Sequence, residues 1–424
     1  MTKRMLTEID PTKDWVVDNT NFRIDYELTI TREFAKPRLI VIAIPVILQN
    51  IVGRALRQLF PQMSPYTRVH IQSLRWNSIP HTVHAGYWRC SPYVVLEVNE
   101  TAFYTYFRFY IDEEKVSPQS FYEDFQKALR VASAGVICNI SVGELFSDWE
   151  DEEAEEENIS PLLLDENIGS PFEKIDISLD EFLSFYPPET ALAFRRVIQM
   201  MDTIANEPAS GLHFSALIAG PPGTGKSLFA TLLAKYAAEE KKALVIFASG
   251  VSGLDIIYDV IKIFPLVLFI FDECEFLAQN REQRPTRELI QLMQLLDGYA
   301  HKTYASWGII FTTNRPHTID PAFLRPIRMD ELIELSPIQD GKLGLEIFKY
   351  HCRKLGIEEI SVDEKVFEGR THAECAALAQ KIYRMKKFNK EVTPETIKAL
   401  LKDISKWSRP QKIKGSLTEE KAGF

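Results

Sequence analysis

A parallel α/β sheet covered by helices on both faces, followed by a small helical lid and preceded by a mixed α+β N-terminal domain, is the architecture this sequence predicts. Three observations predict it. Four apolar runs, "HFSALIAG", "ALVIFAS", "LVLFIFDE" and "SWGIIFTTN", alternate with helical patterns in the second half of the chain, and continuous apolar strands of that kind belong to a sheet buried on both sides. A glycine-rich stretch, "GPPGTGKSLFATLLAKY" (Gly220 to Tyr236), leads from the first of these strands straight into a helix. An acidic run, "DWEDEEAEEEN", breaks the composition upstream and reads as a solvated linker.

Length and composition bound the rest. At 424 residues the chain is expected to hold two or three domains. A net charge of -10 argues against a dedicated nucleic-acid binder. Cys90, Cys138, Cys274, Cys352 and Cys375 are scattered without a CxxC pair, which suits a reducing compartment and a cytoplasmic location. The start, "MTKRMLTEIDPTKDW", has no apolar core after its basic residues, so no secretory signal is expected. The run "LIVIAIPVIL", Leu39 to Leu48, is far shorter than the roughly 20 residues of a membrane helix. With Pro45 inside it and β-branched residues dominating, it is expected to be a buried or edge strand with a bulge.

The N-terminal domain is expected over residues 1–147. "YVVLEVNETAFYTYFRFYI" reads as two strands around a turn near Asn99 and Glu100, and "PQSFYEDFQKALRVAS" as a helix. Arginines 38, 54, 57, 68, 75, 89 and 108 face only the acids Glu97 and Glu100 in this part of the sequence. With Phe103, Tyr104, Tyr106, Phe107, Phe109 and Tyr110 they sketch a base-stacking surface. The plainer reading, a half-buried sheet with solvated or ion-paired arginines, is favoured because no recognition signature accompanies the aromatics. His81 and His84 point to opposite faces of a strand and have no further ligand cluster around them.

An acidic linker, 148–170, separates this domain from the large α/β unit, 171–336. Here Gly220, Gly223, Gly225, Lys226 and Ser227 fit the pattern GxxxxGK[ST] between a strand and a helix. Loops stripped of side chains let a ligand touch backbone, and a helix N-terminus favours an anion. The residues from Gly220 through Pro221, Pro222, Thr224 and Leu228 are therefore expected to cradle nucleotide phosphates. Lys226 is expected to reach the β and γ phosphates and Ser227 to hold Mg²⁺. "LVLFIFDE" ends in Asp272, for the metal, and Glu273, for the attacking water, at a strand's C-terminal end where ligands bind in such sheets.

The next strand runs into "FTTNRPHTIDPAFLRPIRMDELIEL", preceded by "LLDGY". Together these motifs resemble the AAA family of ATPases, within the AAA+ group, from about Lys174 to Trp407. The resemblance implies ATP and Mg²⁺ as cofactors. It implies that Asn314 is sensor 1, holding the attacking water or the γ-phosphate, and that Arg328 in "RPIRMDE" is a finger into a neighbouring copy's site. Arg325 is a second arginine of that segment. Glu331 stands where the family has a second finger arginine. Between the second strand and "LVLFIFDE" only "SGVS" is left as loop before the helix "GLDIIYDVIKIF". It lacks the aromatic-hydrophobic-glycine loop of family members that thread polypeptide, and Tyr258, the one aromatic nearby, is expected on the helix surface.

A small helical lid is expected over 337–408 and a flexible tail over 409–424. "DGKLGLEIFKYHCRKLG" spaces Leu345, Phe348, Cys352 and Leu355 for one helix face, and "TPETIKALLKDISKW" does so with Ile397, Leu400, Leu401 and Ile404. Between them "EGRTHAECAALAQKIYRM" is similar to the family's sensor 2 region. His372, Ala373 and Glu374 fall at its glycine, alanine and acid positions, which implies that Ala373 lies beside the nucleotide. The expected protein is a ring or open-ring homo-oligomer, hexamer-like, that remodels a protein client gripped by its N-terminal domain. A nucleic-acid-associated switch and a slow nucleotide-dependent scaffold are the alternatives.

Overall fold

The computed structural model describes residues 34–45, 48–72, 82–100, 104–141, 175–249, 253–274, 287–297, 305–357 and 360–408. The N-terminal part is an antiparallel five-stranded sheet built from β1 (Pro37–Pro45), β2 (Ser64–Gln72), β3 (Thr82–Ser91), β4 (Val94–Glu100) and β5 (Tyr104–Asp112), in the order β1-β5-β4-β3-β2. Helices α1 (Gln49–Leu59) and α2 (Pro118–Ser133) pack against each other beside it. Ser117 caps α2, its hydroxyl accepting the Ser120 N–H, with Pro118 just inside the start. The apolar run thus supplies, up to Pro45, an edge strand, where Pro45 costs no interior ladder bond. The bulge expected there is not found. β1 pairs with β5 in unbroken register, and the irregularities fall at Pro65/Thr67 in β2 and Arg89/Ser91 in β3.

Alternation along β5 decides what its aromatics do. Phe107, Phe109 and Ile111 enter the core together with Phe121 and Phe125 of α2. Arg108, on the opposite face, donates to buried Glu97 at 2.7 Å, and Tyr110 donates to the other oxygen of Glu97 at 2.8 Å. Two members of the suggested stacking surface are therefore core residues and its Arg108 is ion-paired. Phe103, Arg75 and His81 lie outside the described residues.

The second sheet is six-stranded and parallel. It comprises β6 (Ile137–Ser141), β7 (His213–Ala219), β8 (Leu244–Ser249), β9 (Leu266–Phe271), β10 (Ser306–Thr313) and β11 (Glu331–Glu334), ordered β11-β7-β10-β9-β8-β6. β7, β9 and β10 are buried along nearly their whole length, as their continuous apolar sequences require. On one face lie α3 (Leu179–Leu183), α4 (Pro188–Asn206) and α5 (Lys226–Glu239). On the other lie α6 (Gly253–Ile263) and α7 (Arg287–Leu296).

β6 corrects the expected division at residue 147. It pairs in parallel with β8 from Ile137↔Val245 to Ser141↔Ser249. Chain upstream of the acidic run therefore supplies an edge strand to the downstream sheet. The two units also share apolar packing, with α6 against β1 and both feeding one cluster of buried residues. Tyr258 of α6, expected on the surface, is half-buried against this cluster, and burial raises its pKa. The acidic linker and the tail at 409–424 lie outside the described residues.

The lid is α8 (Gly341–Lys354), α9 (His372–Lys387) and α10 (Pro394–Ser408). Its apolar faces are those the spacing predicts, with Phe348, Cys352, Ile397, Leu401 and Ile404 buried and Leu345, Leu355 and Leu400 half-buried. They pack into the same cluster as α4 and α5, which seats the lid on that side of the sheet. Among the described residues no helix is long and apolar enough to cross a membrane, and no group of three His, Cys, Asp or Glu side chains is placed to hold a metal ion.

Candidate nucleotide site

The site forms where β7, β9 and β10 end. From Gly220 the chain turns through Pro221, Pro222, Gly223 and Thr224 to Gly225, whose left-handed φ of 97° opens α5. No side chain caps that helix, so its first-turn amides are presented as an anion site. A Cβ at Gly225 would collide with the Tyr186 hydroxyl and one at Gly223 would press on Ala373 and Thr371, which is why neither position accepts a side chain. The loop is braced internally. Thr224 Oγ1 donates to the Pro221 carbonyl at 2.8 Å, and Lys226 Nζ donates to the Gly220 and Pro221 carbonyls at 2.8 Å each. Leu228, in the first turn of α5, is partly exposed.

On one side of this loop stand acids and hydroxyls. Ser227 Oγ donates to Asp272 Oδ1 at 2.9 Å, a pair of hard oxygen donors of the kind Mg²⁺ takes. Thr312 Oγ1 donates to the same carboxylate oxygen and accepts the Glu273 N–H at 2.9 Å. Glu273 has a left-handed φ of 53°, and Asn314 Nδ2 lies 3.4 Å from its Oε1. Strand parity explains the gathering. Ile218, Ile270 and Ile310 point to the α5 face, so Asp272, Thr312 and Asn314, at even spacing beyond them, emerge on that face too.

The other side is aromatic, with Tyr186 buried. Tyr186 donates its hydroxyl to the Thr224 carbonyl at 2.7 Å and lies 4.7 Å, centroid to centroid, from the His372 ring. The Ala373 N–H donates to the Gly223 carbonyl at 3.0 Å, so the start of α9 rests on the loop. Thr371 and Glu374 form a capping box there, and Ser405 donates to Glu374 at 2.8 Å. Burial, reinforced by the nearby charge of His351, pulls the His372 pKa down to about 4. Burial likewise raises that of Tyr186.

The arginines go elsewhere. Arg328 grips Asp297 through Nε at 2.6 Å and Nη2 at 2.7 Å, and donates from Nη1 to the Ala322 carbonyl at 2.8 Å. Its hydrogen bonds hold the Asp297 carboxyl below its ordinary pKa. Arg325 is exposed in the same loop, next to Ile327, which is 75% exposed. Glu331 accepts both Arg196 Nε and Nη2, at 2.8 and 2.6 Å, and so serves as an ion-pair partner at the position of the family's second finger arginine. The structure thus brings together Ser227, Asp272, Glu273 and Asn314, sets Ala373 against the loop, and engages Arg328 with Asp297.

Sequence reasoning missed Thr312, Tyr186 and Asp297. Thr312 carries a readable signal, since it shares strand parity with Asn314 and precedes it by one strand repeat. Tyr186 has none, because its contact with Thr224 spans separate elements.

The model of the ATPase family associated with various cellular activities (AAA) matches residues 216–337, which span the loop, the acids, Asn314 and both arginines. These residues are an AAA ATPase domain. A proteasome-activating nucleotidase of Methanocaldococcus jannaschii is 36% identical over 202 residues, 42% of this chain and 44% of that protein. One of Methanococcus vannielii is 32% identical over 245 residues, 52% and 57% of the two chains. One of Thermococcus gammatolerans is 31% identical over 202 residues, 43% and 48%. The chain spans about half the length of the curated relatives it matches. The matched residues run from within β7 to just past β11, and β6, from this chain's N-terminal part, lies outside them.

Proposed function

We propose that the chain is an oligomeric AAA ATPase that hydrolyses ATP with Mg²⁺ and uses the turnover to remodel a protein partner. The observation that carries the reading is the Ser227–Asp272 contact at 2.9 Å with Glu273 and Asn314 beside it, all at the mouth of an uncapped helix. The amides from Gly223 to Leu228 hold phosphate oxygens, and Lys226 exchanges its loop carbonyls for them. Ser227 and Asp272 hold Mg²⁺, which supplies charge neutralisation at the phosphates when bound. Glu273 and Asn314 orient water for in-line attack. Ala373 and its neighbours at the start of α9 close the base side.

An arginine of the 325–328 loop completes a neighbouring copy's site in a ring or open ring, hexamer-like. Arg325 is exposed, while Arg328 must first leave Asp297. Relatives named for proteasome activation favour a protein partner over nucleic acid, as does the burial of Phe107 and Phe109. The N-terminal antiparallel sheet is the gripping module, and β6 ties it to the motor sheet.

The test is release of phosphate from ATP by the purified chain with and without Mg²⁺, followed by capture of partners on the Glu273→Gln variant held with ATP. Mg²⁺-dependent release and nucleotide-dependent capture of protein are expected. No release above buffer, or capture of nucleic acid alone, would overturn the reading.

A further inference from the structure

We propose that Thr312 is a positioning residue for the Asp272–Glu273 pair, an inference that rests on the ATPase reading above. Thr312 is the penultimate residue of β10 and is fully buried. The parallel ladder between β9 and β10 runs to Phe311↔Phe271. One step further the Thr312 residue takes over from it. Its hydroxyl donates to Asp272 Oδ1, the same hydroxyl accepts the Glu273 N–H at 2.9 Å, and its carbonyl accepts the Cys274 N–H at 2.8 Å. A single residue thus fixes three consecutive residues just past the end of β9.

Two consequences follow for the acids. Asp272 Oδ1 receives hydroxyls from both Ser227 and Thr312, so the rotation of its carboxylate is set at once from the first turn of α5 and from the end of β10. Glu273 occupies the left-handed region at φ 53°, which a residue with a Cβ enters only when its surroundings over-determine it. The bond from its N–H to Thr312 supplies that constraint. It leaves the side chain 3.4 Å from the Nδ2 of Asn314, the residue just past the end of β10. The end of β10 therefore holds the metal-side acid and the water-side acid through one residue.

Packing does not require the hydroxyl. The position lies after Ile309, Ile310 and Phe311 in a wholly buried strand, where valine has the same shape and β preference. The hydroxyl is thus separable from the fold, and the substitution series Thr312→Val and Thr312→Ser isolates it.

The experiment measures ATP affinity, kcat and thermal midpoint for the wild type and the two variants side by side. Thr312→Val is expected to bind ATP within about 3-fold of wild type while kcat falls by about 10- to 100-fold, the scale of one lost hydrogen bond to a charged group. Thr312→Ser, which keeps the hydroxyl, is expected to stay within about 3-fold of wild type in both. If Thr312→Val is recovered only unfolded, Thr312→Cys replaces it, with a weaker donor and an intermediate kcat expected. An unchanged kcat in Thr312→Val, equal losses in the valine and serine variants, or affinity falling in step with kcat would each overturn the positioning role. A wild-type chain that releases no phosphate would overturn the ATPase reading itself, and this inference with it.

Discussion

The two sides of the glycine-rich loop are built on opposite principles. The acid side is made of strand ends from one sheet, Asp272 and Glu273 after β9 and Thr312 and Asn314 from β10, joined by hydroxyl-to-carboxylate and amide contacts, with both acids exposed. The lid side is made of elements far apart in sequence, buried Tyr186 before α4 and half-buried His372 at the start of α9, their rings tilted against each other. The first side is suited to handling charge and the second to holding the lid against the loop by packing. Neither side holds Arg325 or Arg328, the latter being bonded to Asp297.

The largest effect that can break this comparison concerns the missing cation. A finger arginine is worth about 10³ to 10⁵ in rate in related phosphoryl transfers. A chain with Arg325 and Arg328 both changed to alanine keeps its acids, and a Glu273→Gln chain keeps its arginines. Mixed under conditions where an independent label shows subunit exchange, the two are expected to hydrolyse faster than the sum of each alone. Exchange without recovery would place the cation within one chain and end the division. Repeating the mixture with each arginine changed singly assigns the role to exposed Arg325 or to Arg328 after release from Asp297.

A smaller effect sharpens the description of the lid side. His372 has a folded pKa of about 4 because burial disfavours its charged form. Its folded pKa is below the unfolded value near 6.5, so its contribution to stability is complete above that value and is lost as pH falls from about 6.5 toward 4. Between pH 7 and pH 5 the wild type is expected to lose about 2 kcal/mol more than His372→Phe, which keeps a ring but cannot titrate. Chemical denaturation at the two pH values checks this, and parallel losses in both chains would show that His372 is not neutral in its seat.

The acid side was the more legible of the two in the sequence. Continuous apolar strands announce a parallel sheet, and ligand residues at strand ends follow from its chemistry, so Gly220 to Ser227, Asp272 and Glu273 could be placed together before any fold was known, while Asn314 came from the resemblance to the AAA family. The helix assigned to 118–133 is also where the sequence places it. Tyr186, whose contacts arise only from tertiary packing, has no local signature. β6 escaped because "ICNIS" is five residues long and its partner β8 lies across the acidic run. Non-local strand pairing of that kind leaves no local period to read. Arg328 was recognised by motif, but its bidentate bond to Asp297 depends on the end of α7 arriving beside it.

The most direct measurement separates binding from turnover at the acid side. In the function proposed above, Lys226 contacts phosphate in the ground state, whereas Glu273 acts on water during the chemical step. Calorimetric ATP affinity and phosphate release are measured for Lys226→Ala and Glu273→Gln beside the wild type. Lys226→Ala is expected to lose ATP binding. Glu273→Gln is expected to bind ATP at close to wild-type strength with turnover lower by about 10² to 10⁴, the usual contribution of a general base. Equal loss of affinity in both variants, or wild-type turnover in Glu273→Gln, would contradict the assignment of the site.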